Sequence, residues 1–361
     1  MAVRVLIIGV GDAGGKISDG LARSGKVDEL ILSGLCQGRG PAIAGMLDSC
    51  YDCRVKFTEL DGTQQKAIER LLKMEKPDLV VQSASLLGPW AMHGRTDPVA
   101  RALSRAGLGV QLPAQLPVLA TVMKAIREVD FKAPIANLSF PDISHVILDR
   151  LGLAPTIGLG NVSICHLRTQ AALRNKMKQS NALSDSLPLI RLVGHHHQVY
   201  EVMEAKMPQD PDQRCRVYLG EEGRRSDELA YQGFPILASI QYNIITAASA
   251  LPVLLALLPG AEPLRFSAPG PHGLPGGYPV MIKDGGVGLD LPEGVDLKEA
   301  VEFHWKMSRL DGIESVTKDG TVLFSEKARK AVANINPALC EPLQFQECLP
   351  RYRLLMRHIN A

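Results

Sequence analysis

The sequence has no surplus of charge of either sign. It carries 40 Lys and Arg residues against 38 Asp and Glu residues, for a net charge of +2. Neither a basic surface for nucleic acid nor an acidic tail is expected from this balance. With 46% hydrophobic and 22% charged residues, the composition is that of a soluble globular protein, and 361 residues correspond to about two domains.

Long uninterrupted hydrophobic runs and paired cysteine motifs are also missing. The most apolar stretch, residues 236–258, is interrupted by polar residues and by Pro252, which predicts a buried helix and no membrane segment. Cys50 and Cys53 form a CxxC pair without a second pair to complete a zinc cage, so ordinary thiols are expected. The chain starts directly on a strand-like segment, so we expect no signal peptide and a cytoplasmic location.

Short apolar runs alternate with helical patterns over the first part of the chain. Strands are predicted at residues 3–8, 30–32, 78–81 and 133–138, with helices between them. This alternation predicts an α/β fold, a Rossmann doubly wound parallel sheet, in an NAD(P)-binding domain over residues 1–153.

The pattern changes beyond residue 153. Strands are predicted at 189–193 and 198–203, an exposed loop or lid at 208–227, and a long helix at 235–258. A hairpin at 278–291, a helix at 297–310 and a second hairpin around Asp319 and Gly320 follow. Residues 154–361 are therefore expected to form an α+β domain for substrate binding and dimerisation.

The stretch GVGDAGG, residues 9–15, lies between the first strand and the first helix. Gly9, Gly11 and Gly14 match GxGxxG, and Asp12 and Ala13 complete the turn. The glycines permit a tight turn, close approach of a pyrophosphate, and close packing of helix on strand. This context predicts a dinucleotide site; a purely structural turn is the alternative.

The end of the second strand predicts which nicotinamide cofactor binds. An NAD site usually has an acidic residue there, whereas this chain has Ser33, Gly34 and, after a short loop, Arg39. A hydroxyl and a guanidinium favour a 2′-phosphate, so NADP is preferred and NAD is the alternative. Arg39 as a solvated loop residue is the other interpretation.

Side chains at the ends of the later strands are expected to border the nicotinamide. Ser83, Ala84 and Ser85 follow the strand at 78–81, and Asn137 lies at the end of the strand at 133–138. Ligands of such sheets bind at the carboxyl ends of the strands. A cap on local backbone is the alternative role for Asn137.

Three consecutive histidines, His195 to His197, follow the predicted strand at 189–193. In an extended segment the middle residue faces away from its neighbours, so His196 is the candidate for the cleft. Hydride transfer to a carbonyl or an imine needs a proton donor of near-neutral pKa, which imidazole supplies. Three structural or exposed imidazoles are the alternative.

Several segments in order resemble the lactate/malate dehydrogenase superfamily, which includes the NAD-dependent family 4 glycosidases. The resemblance is carried by GVGDAGGKISDGLARSGKVDELILSG, IANLSFPDISHVILDRLGL, GLGNVSICHLRTQAAL, VGHHHQVYEV and GYPVMIKDGGVGLDLPEGVDLKEAV. It implies that His196 is the acid–base residue and that Arg168 clamps a substrate carboxylate. It also places Arg95, after Gly88 and Pro89, in the closing loop of the dehydrogenases.

The resemblance also shows departures. The position of the family's catalytic Asn falls on Phe140, and that of the Asp that orients the His falls near Ile164 or Cys165. In the glycosidase alignment the metal-binding Cys and His become Gly160 and His197. A standard 2-hydroxy-acid dehydrogenase is therefore doubtful, and no metal site is predicted.

Residues 57–61 and 76–84 are similar to the cofactor domain of saccharopine- and opine-type dehydrogenases. We therefore expect an NADP-preferring oxidoreductase that transfers hydride to a small oxo acid, or to an imine derived from one. A metal-assisted NAD-dependent hydrolase or lyase and a non-catalytic NADP-binding protein are the alternatives. A homodimer or higher homo-oligomer is expected, because the family commonly dimerises and residues 236–258 are highly apolar.

Overall fold

The computed structural model of the chain describes residues 2–35, 38–180 and 187–360. Its strands are β1 (Arg4–Ile8), β2 (Glu29–Gly34), β3 (Arg54–Glu59), β4 (Leu79–Gln82), β5 (Ile135–Asn137), β6 (Ile157–Gly158), β7 (Ile190–Val193), β8 (Arg216–Leu219), β9 (Arg224–Arg225), β10 (Leu264–Pro269), β11 (Gly277–Lys283), β12 (Gly286–Leu289), β13 (Ile313–Val316) and β14 (Val322–Phe324). Its helices are α1 (Asp12–Arg23), α2 (Arg39–Cys50), α3 (Gln65–Glu75), α4 (Pro98–Ala106), α5 (Leu112–Glu128), α6 (Pro141–Arg150), α7 (Val162–Gln179), α8 (Val199–Met203), α9 (Tyr242–Ala256), α10 (Leu297–Leu310), α11 (Glu326–Val332) and α12 (Cys348–Ile359).

Six parallel strands form the first sheet, in the order β3-β2-β1-β4-β5-β6. β1 pairs with β2 on one side and with β4 on the other, so the strand order reverses beside β1. The apolar run of β1 is buried, as expected for a strand of a parallel sheet covered on both faces. The predicted Rossmann sheet is confirmed. β3 was missed because RVKFTE, at the edge of the sheet, has no continuous apolar run.

The described strands of the second half of the chain form three antiparallel sheets: β7-β8-β9, β10-β11-β12 and β13-β14. They confirm the predicted α+β class and both predicted hairpins. The predicted strand at 198–203 is wrong: α8 occupies it, and its buried residues Val199, Val202 and Met203 recur with the period of a helix. The predicted loop at 208–227 contains β8, whose apolar side chains are buried.

The long helix predicted over 235–258 is shorter in the structure. α9 begins at Tyr242, and the residues before it form bends and turns. The domain boundary at residue 153 stays a prediction. The first sheet includes β6, which lies just beyond that boundary, and α12 at the far end of the chain packs on α5.

Within the described residues, no single helix is long and apolar enough to cross a membrane. Only α4 together with the segment Leu108–Glu128 meets that criterion as a pair, with a bend of 110° between them.

Candidate active site

The turn from β1 into α1 is built on glycines whose side-chain space is already occupied. Gly9 has φ of +104°, and a Cβ there would lie 2.5 Å from the amide nitrogen of Ala84. A Cβ on Gly14 would lie 2.0 Å from the carbonyl oxygen of Gly9. At Gly11, by contrast, a Cβ meets nothing within 4 Å. Gly9 and Gly14 are therefore needed for the fold, whereas Gly11 leaves open space in front of the amides that begin α1.

A substitution at Gly11 can test ligand binding without disturbing the fold, because a Cβ there meets no protein atom within 4 Å. We expect Gly11→Val to weaken binding of NADPH at least about tenfold, because its side chain fills the space that a pyrophosphate would need. The melting temperature should stay within about 3 °C, since the added atoms meet no protein neighbour. Gly45→Val, in α2 and equally free of neighbours, is the matched control. Calorimetric titration with NADPH measures both; equal affinities would contradict a ligand at this turn.

A cavity of about 650 Å³ lies at the carboxyl ends of the strands of the first sheet. This volume is in the range of small-molecule and cofactor pockets. The sequence-predicted residues that line it are Gly9, Gly11, Asp12, Ala13, Gly14, Gly34, Arg39, Ser83, Ala84, Ser85 and His196. The glycine turn and the candidate proton donor therefore share one cavity. Ser33, Asn137, Arg95 and Arg168 lie outside the lining.

Asp12, in the first turn of α1, carries a carboxylate at the mouth of the glycine turn. It accepts hydrogen bonds from Lys16 (2.5 Å) and from Asn243 of α9 (2.8 Å), and the Arg39 guanidinium lies 3.8 Å away. Burial raises the pKa of Asp12, but these partners outweigh it and the net shift is downward. An anion entering the cavity therefore meets a carboxylate whose charge is shared with Lys16 and Arg39.

Ser33 and Asn137 are placed differently from the sequence-based expectation. Both are fully buried. The Ser33 hydroxyl donates to the carbonyl of Ile7 (3.0 Å) inside the sheet, so it does not face a 2′-phosphate in the cavity. The Asn137 side chain donates to the carbonyl of Ser139 and contacts the ring of His145 at 3.1 Å, so it holds the turn after β5. Within the loop after β2, Cys36 and Gln37 lie outside the described residues.

His196 forms an ion pair with Asp311, the residue that follows α10. The Nδ1 atom of His196 lies 2.6 Å from the Asp311 carboxylate. Burial lowers the pKa of His196, but the adjacent carboxylate outweighs burial and raises it. Asp311 is buried too, and His196 holds the pKa of its carboxyl well below the ordinary value. Nδ1 is thus occupied, and Nε2 is left as the ring atom that can exchange a proton with a ligand.

This pair corrects the expectation that His196 lacks a carboxylate partner. The resemblance placed that partner on α7, near Ile164 or Cys165, whereas the structure supplies it from the end of α10. Asp311 also accepts a hydrogen bond from the amide of Leu108 (3.2 Å), a residue that lines the cavity. The turn at Gly312, with φ of +100°, packs against the carbonyl of Ala106 and fixes the carboxylate in place.

The backbone of His196 is held by a second carboxylate. Its amide donates to Asp142 (2.8 Å), and the other oxygen of Asp142 accepts from the side chain of Asn161. Asn161 and Phe140 both have positive φ, 50° and 43°, and both line the cavity. Such backbone conformations are unfavourable for these residue types and are retained where surrounding contacts impose them. The Phe140 ring contacts His196 edge to face, with centroids 5.4 Å apart.

The neighbouring histidines, His195 and His197, do not line the cavity. His195 is fully buried, with Nδ1 accepting from the amide of His197 (3.2 Å) and Nε2 3.1 Å from the Ser308 hydroxyl. Burial lowers the pKa of His197 to about 4. His195 is extended, as assumed from the sequence, but His196 and His197 form a turn of 3-10 helix with Gln198. His196 is the one that faces the cavity, but the turn and the ion pair are the reason.

The two candidate arginines are engaged elsewhere in the structure. Arg168 is 6% exposed, and its guanidinium donates to the carbonyl of Phe234. Arg95 donates to Asp97 (2.8 Å) and to the carbonyl of Ile359 in α12 (2.9 Å). The structure does not bring either guanidinium to His196. Both were selected by their position in segments that resemble the dehydrogenases, and that resemblance does not specify where a long side chain points.

Two carboxylates, one in the cavity lining and one bound to His196 behind it, were not expected from the sequence. Asp61, in the turn after β3, lines the cavity, and hydrogen bonds from Thr63 lower the pKa of the carboxyl. Asp311 has no local signal, because it meets His196 across 115 positions of the chain. For metals, the described ranges contain no group of three or more His, Cys, Asp or Glu side chains arranged to hold an ion.

Comparison with solved structures identifies the fold. The lactate dehydrogenase MGS-M5 from a Medee basin deep-sea metagenome library aligns with a TM-score of 0.50 and 14% identity. The minor L-lactate dehydrogenase from Enterococcus mundtii gives 0.50 and 15%, and the lactate dehydrogenase from Eimeria maxima, solved with NADH and oxamate, gives 0.50 and 13%. Each alignment covers 86% of this chain and 96% of the other.

No protein-family model matches the chain, and no curated protein matches it in sequence. At 13 to 15% identity the structural likeness shows the fold alone. The chain therefore has the fold of the lactate dehydrogenases, as its sequence predicted.

Proposed function

We propose that the protein is a nicotinamide-dinucleotide-dependent oxidoreductase that transfers hydride to or from a small carbonyl or imine compound. The observation that carries the proposal is the shared cavity: the glycine turn that begins α1 and His196, whose ring is paired with Asp311, border the same space. The Eimeria maxima lactate dehydrogenase, of the same fold, was solved with NADH and oxamate, which supports a ligand pair of this kind.

The residues around the glycine turn fit a dinucleotide. Gly11 provides the open space, and the unpaired amides that begin α1 provide hydrogen-bond donors for a pyrophosphate. Ser83, Ala84 and Ser85, after β4, line the adjoining part of the cavity. When bound, the nicotinamide ring supplies or accepts the hydride.

His196 would hold and move the proton. With Nδ1 bound to Asp311, a protonated His196 presents an Nε2 proton to the oxygen or nitrogen of the substrate as its carbon receives hydride. In the reverse direction the neutral ring accepts that proton. Asp311 stabilises the protonated form and keeps the ring oriented, and Asp142 holds the backbone amide.

Arg39 supports a preference for NADP over NAD. It lines the cavity at the start of α2, and residues 33–35, 38 and 39 include no carboxylate that would select a free 2′-hydroxyl. Since the Ser33 hydroxyl is used inside the sheet, the preference rests on Arg39. Its nearest carboxylate, on Asp12, is 3.8 Å away, so the guanidinium can take an additional anion.

We expect Arg39→Gln to raise the Kd for NADPH about tenfold, because one charged hydrogen-bond donor to the 2′-phosphate is removed. The Kd for NADH should change by less than about twofold, since that cofactor has no 2′-phosphate. Parallel fluorescence titrations with both cofactors measure the two values. A protein that binds NADH more tightly than NADPH before the substitution would contradict the preference.

Two substrate classes fit the proposal at this level. The first is the small oxo acid, or the imine derived from one, expected from the sequence; it requires a cation beside His196, the role assigned to Arg168. The second is an uncharged carbonyl compound. The alternative is a protein that binds NADP without catalysis. In that case the unmodified protein would show no reduction rate, and substitutions of His196 or Asp311 would have nothing to lower.

Self-association belongs to the proposal as well. Four large apolar side chains before and within α9 are exposed, Phe234, Leu237, Ile240 and Ile244, and a group of this kind is typical of an association surface. Light scattering on the purified protein measures the mass; a single monomeric species at micromolar concentration would contradict this part.

A further inference from the structure

We propose that the substrate is an uncharged carbonyl compound, or the corresponding alcohol, that carries an apolar or aromatic group and has no carboxylate beside the reacting carbon. This inference rests on the proposed function and goes beyond it by excluding oxo acids as the preferred class. Two independent observations carry it. Among the described residues, the cavity lining has no Lys or Arg beside His196, and aromatic rings surround that histidine.

The cavity offers a carboxylate no cation beside His196. Of the described residues that line it, Arg39 is the only Lys or Arg. The positions outside the described ranges, 1, 36, 37, 181–186 and 361, include no Lys or Arg in the sequence. Arg39 follows β2 and Phe140 follows β5, three strand spacings away, which is roughly 14 Å. A carboxylate next to the reacting carbon therefore lies far from Arg39.

The charge on His196 does not replace that cation. Asp311 already pairs with the protonated ring at 2.6 Å, and Asp142 lies on its backbone side. The pair is neutral as a whole, and the two carboxylates together would repel an additional anion.

Arg168, the expected anchor, is locked outside the cavity. Its guanidinium packs so closely on the chain at Gly233 that a Cβ there would lie 2.3 Å from Nη2. Nη2 donates to the carbonyl of Phe234, while Nε is buried without a hydrogen-bond partner among the described residues. Ile164, one helical turn earlier on α7, is the side chain that lines the cavity instead. Where a clamp would be needed, α7 thus presents an aliphatic group.

The rings beside His196 form a continuous aromatic wall. Trp90 contacts Tyr242 at 5.4 Å, Tyr242 contacts Tyr200 at 5.9 Å, and Tyr200 contacts His196 at 6.3 Å between centroids. Phe140 closes the series on the other side of His196. All of these residues line the cavity. The chain has only two Trp residues, so one of them at this wall indicates a surface for an apolar or aromatic group.

Two of the polar atoms of this wall, on Tyr242 and Trp90, are bound to protein partners. The Tyr242 hydroxyl donates to the carbonyl of Ile236 (2.7 Å), and the Trp90 indole nitrogen lies 3.3 Å from the Asn243 side chain. The ring faces therefore remain for contact with a ligand. An unpaired carboxylate brought against such a surface loses its hydration without gaining an ionic partner, which weakens binding.

The test uses two ligands of nearly equal shape that differ in charge. The full-length protein is first titrated with NADPH; failure to bind would overturn the proposed function itself. With NADP⁺ saturating, calorimetry then measures the Kd for 3-phenylpropanamide and for 3-phenylpropanoate. We expect the amide to bind at least about tenfold more tightly than the carboxylate. Reduction of methyl phenylpyruvate and of phenylpyruvate should show the same preference in kcat/KM.

Three outcomes would overturn the inference while cofactor binding stands. The first is that 3-phenylpropanoate binds as tightly as 3-phenylpropanamide. If Arg168→Met then abolished binding of the carboxylate, Arg168 would be identified as its anchor. Binding of neither ligand is the second. The third concerns an added cation in the cavity lining. Thr246→Lys should lower the ratio of the carboxylate Kd to the amide Kd by about tenfold relative to the unmodified protein. An unchanged ratio would contradict the electrostatic argument. Ile164→Lys repeats that test from α7 if the first variant does not fold.

Discussion

Replacing His196 with Ala is expected to lower the rate of carbonyl reduction by about 10²- to 10⁴-fold, the usual contribution of a positioned general acid. The Kd for NADPH should change by less than about threefold, because the proposed dinucleotide contacts are those of Gly11 and Arg39 and do not include His196. Single-turnover reduction, followed by NADPH absorbance, and fluorescence titration of the cofactor measure the two quantities separately.

His197→Ala is the matched control. The adjacent imidazole lies outside the cavity lining, and burial lowers its pKa to about 4, so it carries no proton to donate near neutral pH. We expect this variant to keep its rate within about threefold. Equal losses in both variants would mean that the turn, and not the His196 proton, determines the rate. An unchanged rate in His196→Ala would remove the residue from the mechanism.

Replacing Asp311 with Asn should be the second-largest effect, with a fall in reduction rate of roughly 10²-fold or more. Asn keeps an oxygen that can accept from the amide of Leu108 but removes the charge that pairs with His196. The protonated ring then loses its direct ionic partner, and only the Asp142 carboxylate on its backbone side remains nearby. Asp52→Asn, at an exposed position, is the control for a change from carboxylate to amide.

The pH dependence identifies Asp311 as a positioning and charge-stabilising residue. Because the carboxylate raises the pKa of His196, reduction should be fast below that pKa and should decline as the pH rises through it. Oxidation of the alcohol needs the neutral ring and should show the opposite dependence. In Asp311→Asn burial lowers the pKa of His196 and only the more weakly acting Asp142 carboxylate still opposes it, so the decline should move to lower pH by about one unit or more. A rate loss without this shift would indicate a structural defect alone.

Asp311 takes the place of the carboxylate that the resemblance placed on α7, so the proposed mechanism does not require an Asp there. His196 keeps the partner that its chemistry needs, but the carboxylate comes from the end of α10 and not from α7. Ile164 and Cys165, the buried positions of α7 near which the resemblance placed that carboxylate, are apolar or neutral. α7 therefore presents neither a carboxylate to His196 nor a cation to the cavity, and the end of α10 supplies only the carboxylate.

Much of the fold and of the cofactor end was predictable, because the signals are local. Hydrophobic runs identified β1, β2, β4 and β5, and the glycine spacing located the turn. Elements without a continuous apolar run were less predictable: β3 was missed, and the start of α9 was placed several residues too early. In the loop at 208–227 the short buried strand β8 was hidden by flanking polar residues.

The substrate end was predictable only in part. His196 was selected correctly as the histidine that faces the cavity, although an extended segment was assumed and a turn of 3-10 helix is present. Arg95 and Arg168 were selected by their positions in the chain, but their guanidinium groups bind Asp97 and the carbonyl of Phe234. Long side chains reach several alternative partners from one backbone position, so their contacts depend on which elements pack nearby.

The sequence by itself determined the Rossmann sheet, the glycine turn before α1 and the absence of an acidic selector after β2, because each depends on neighbouring residues and backbone geometry. Only the tertiary structure decided which carboxylate meets His196, which arginines stay away from it and which rings surround it. The His196–Asp311 contact joins residues 115 positions apart along the chain, and Phe140 reaches the same ring from another element, so no local pattern encodes these contacts.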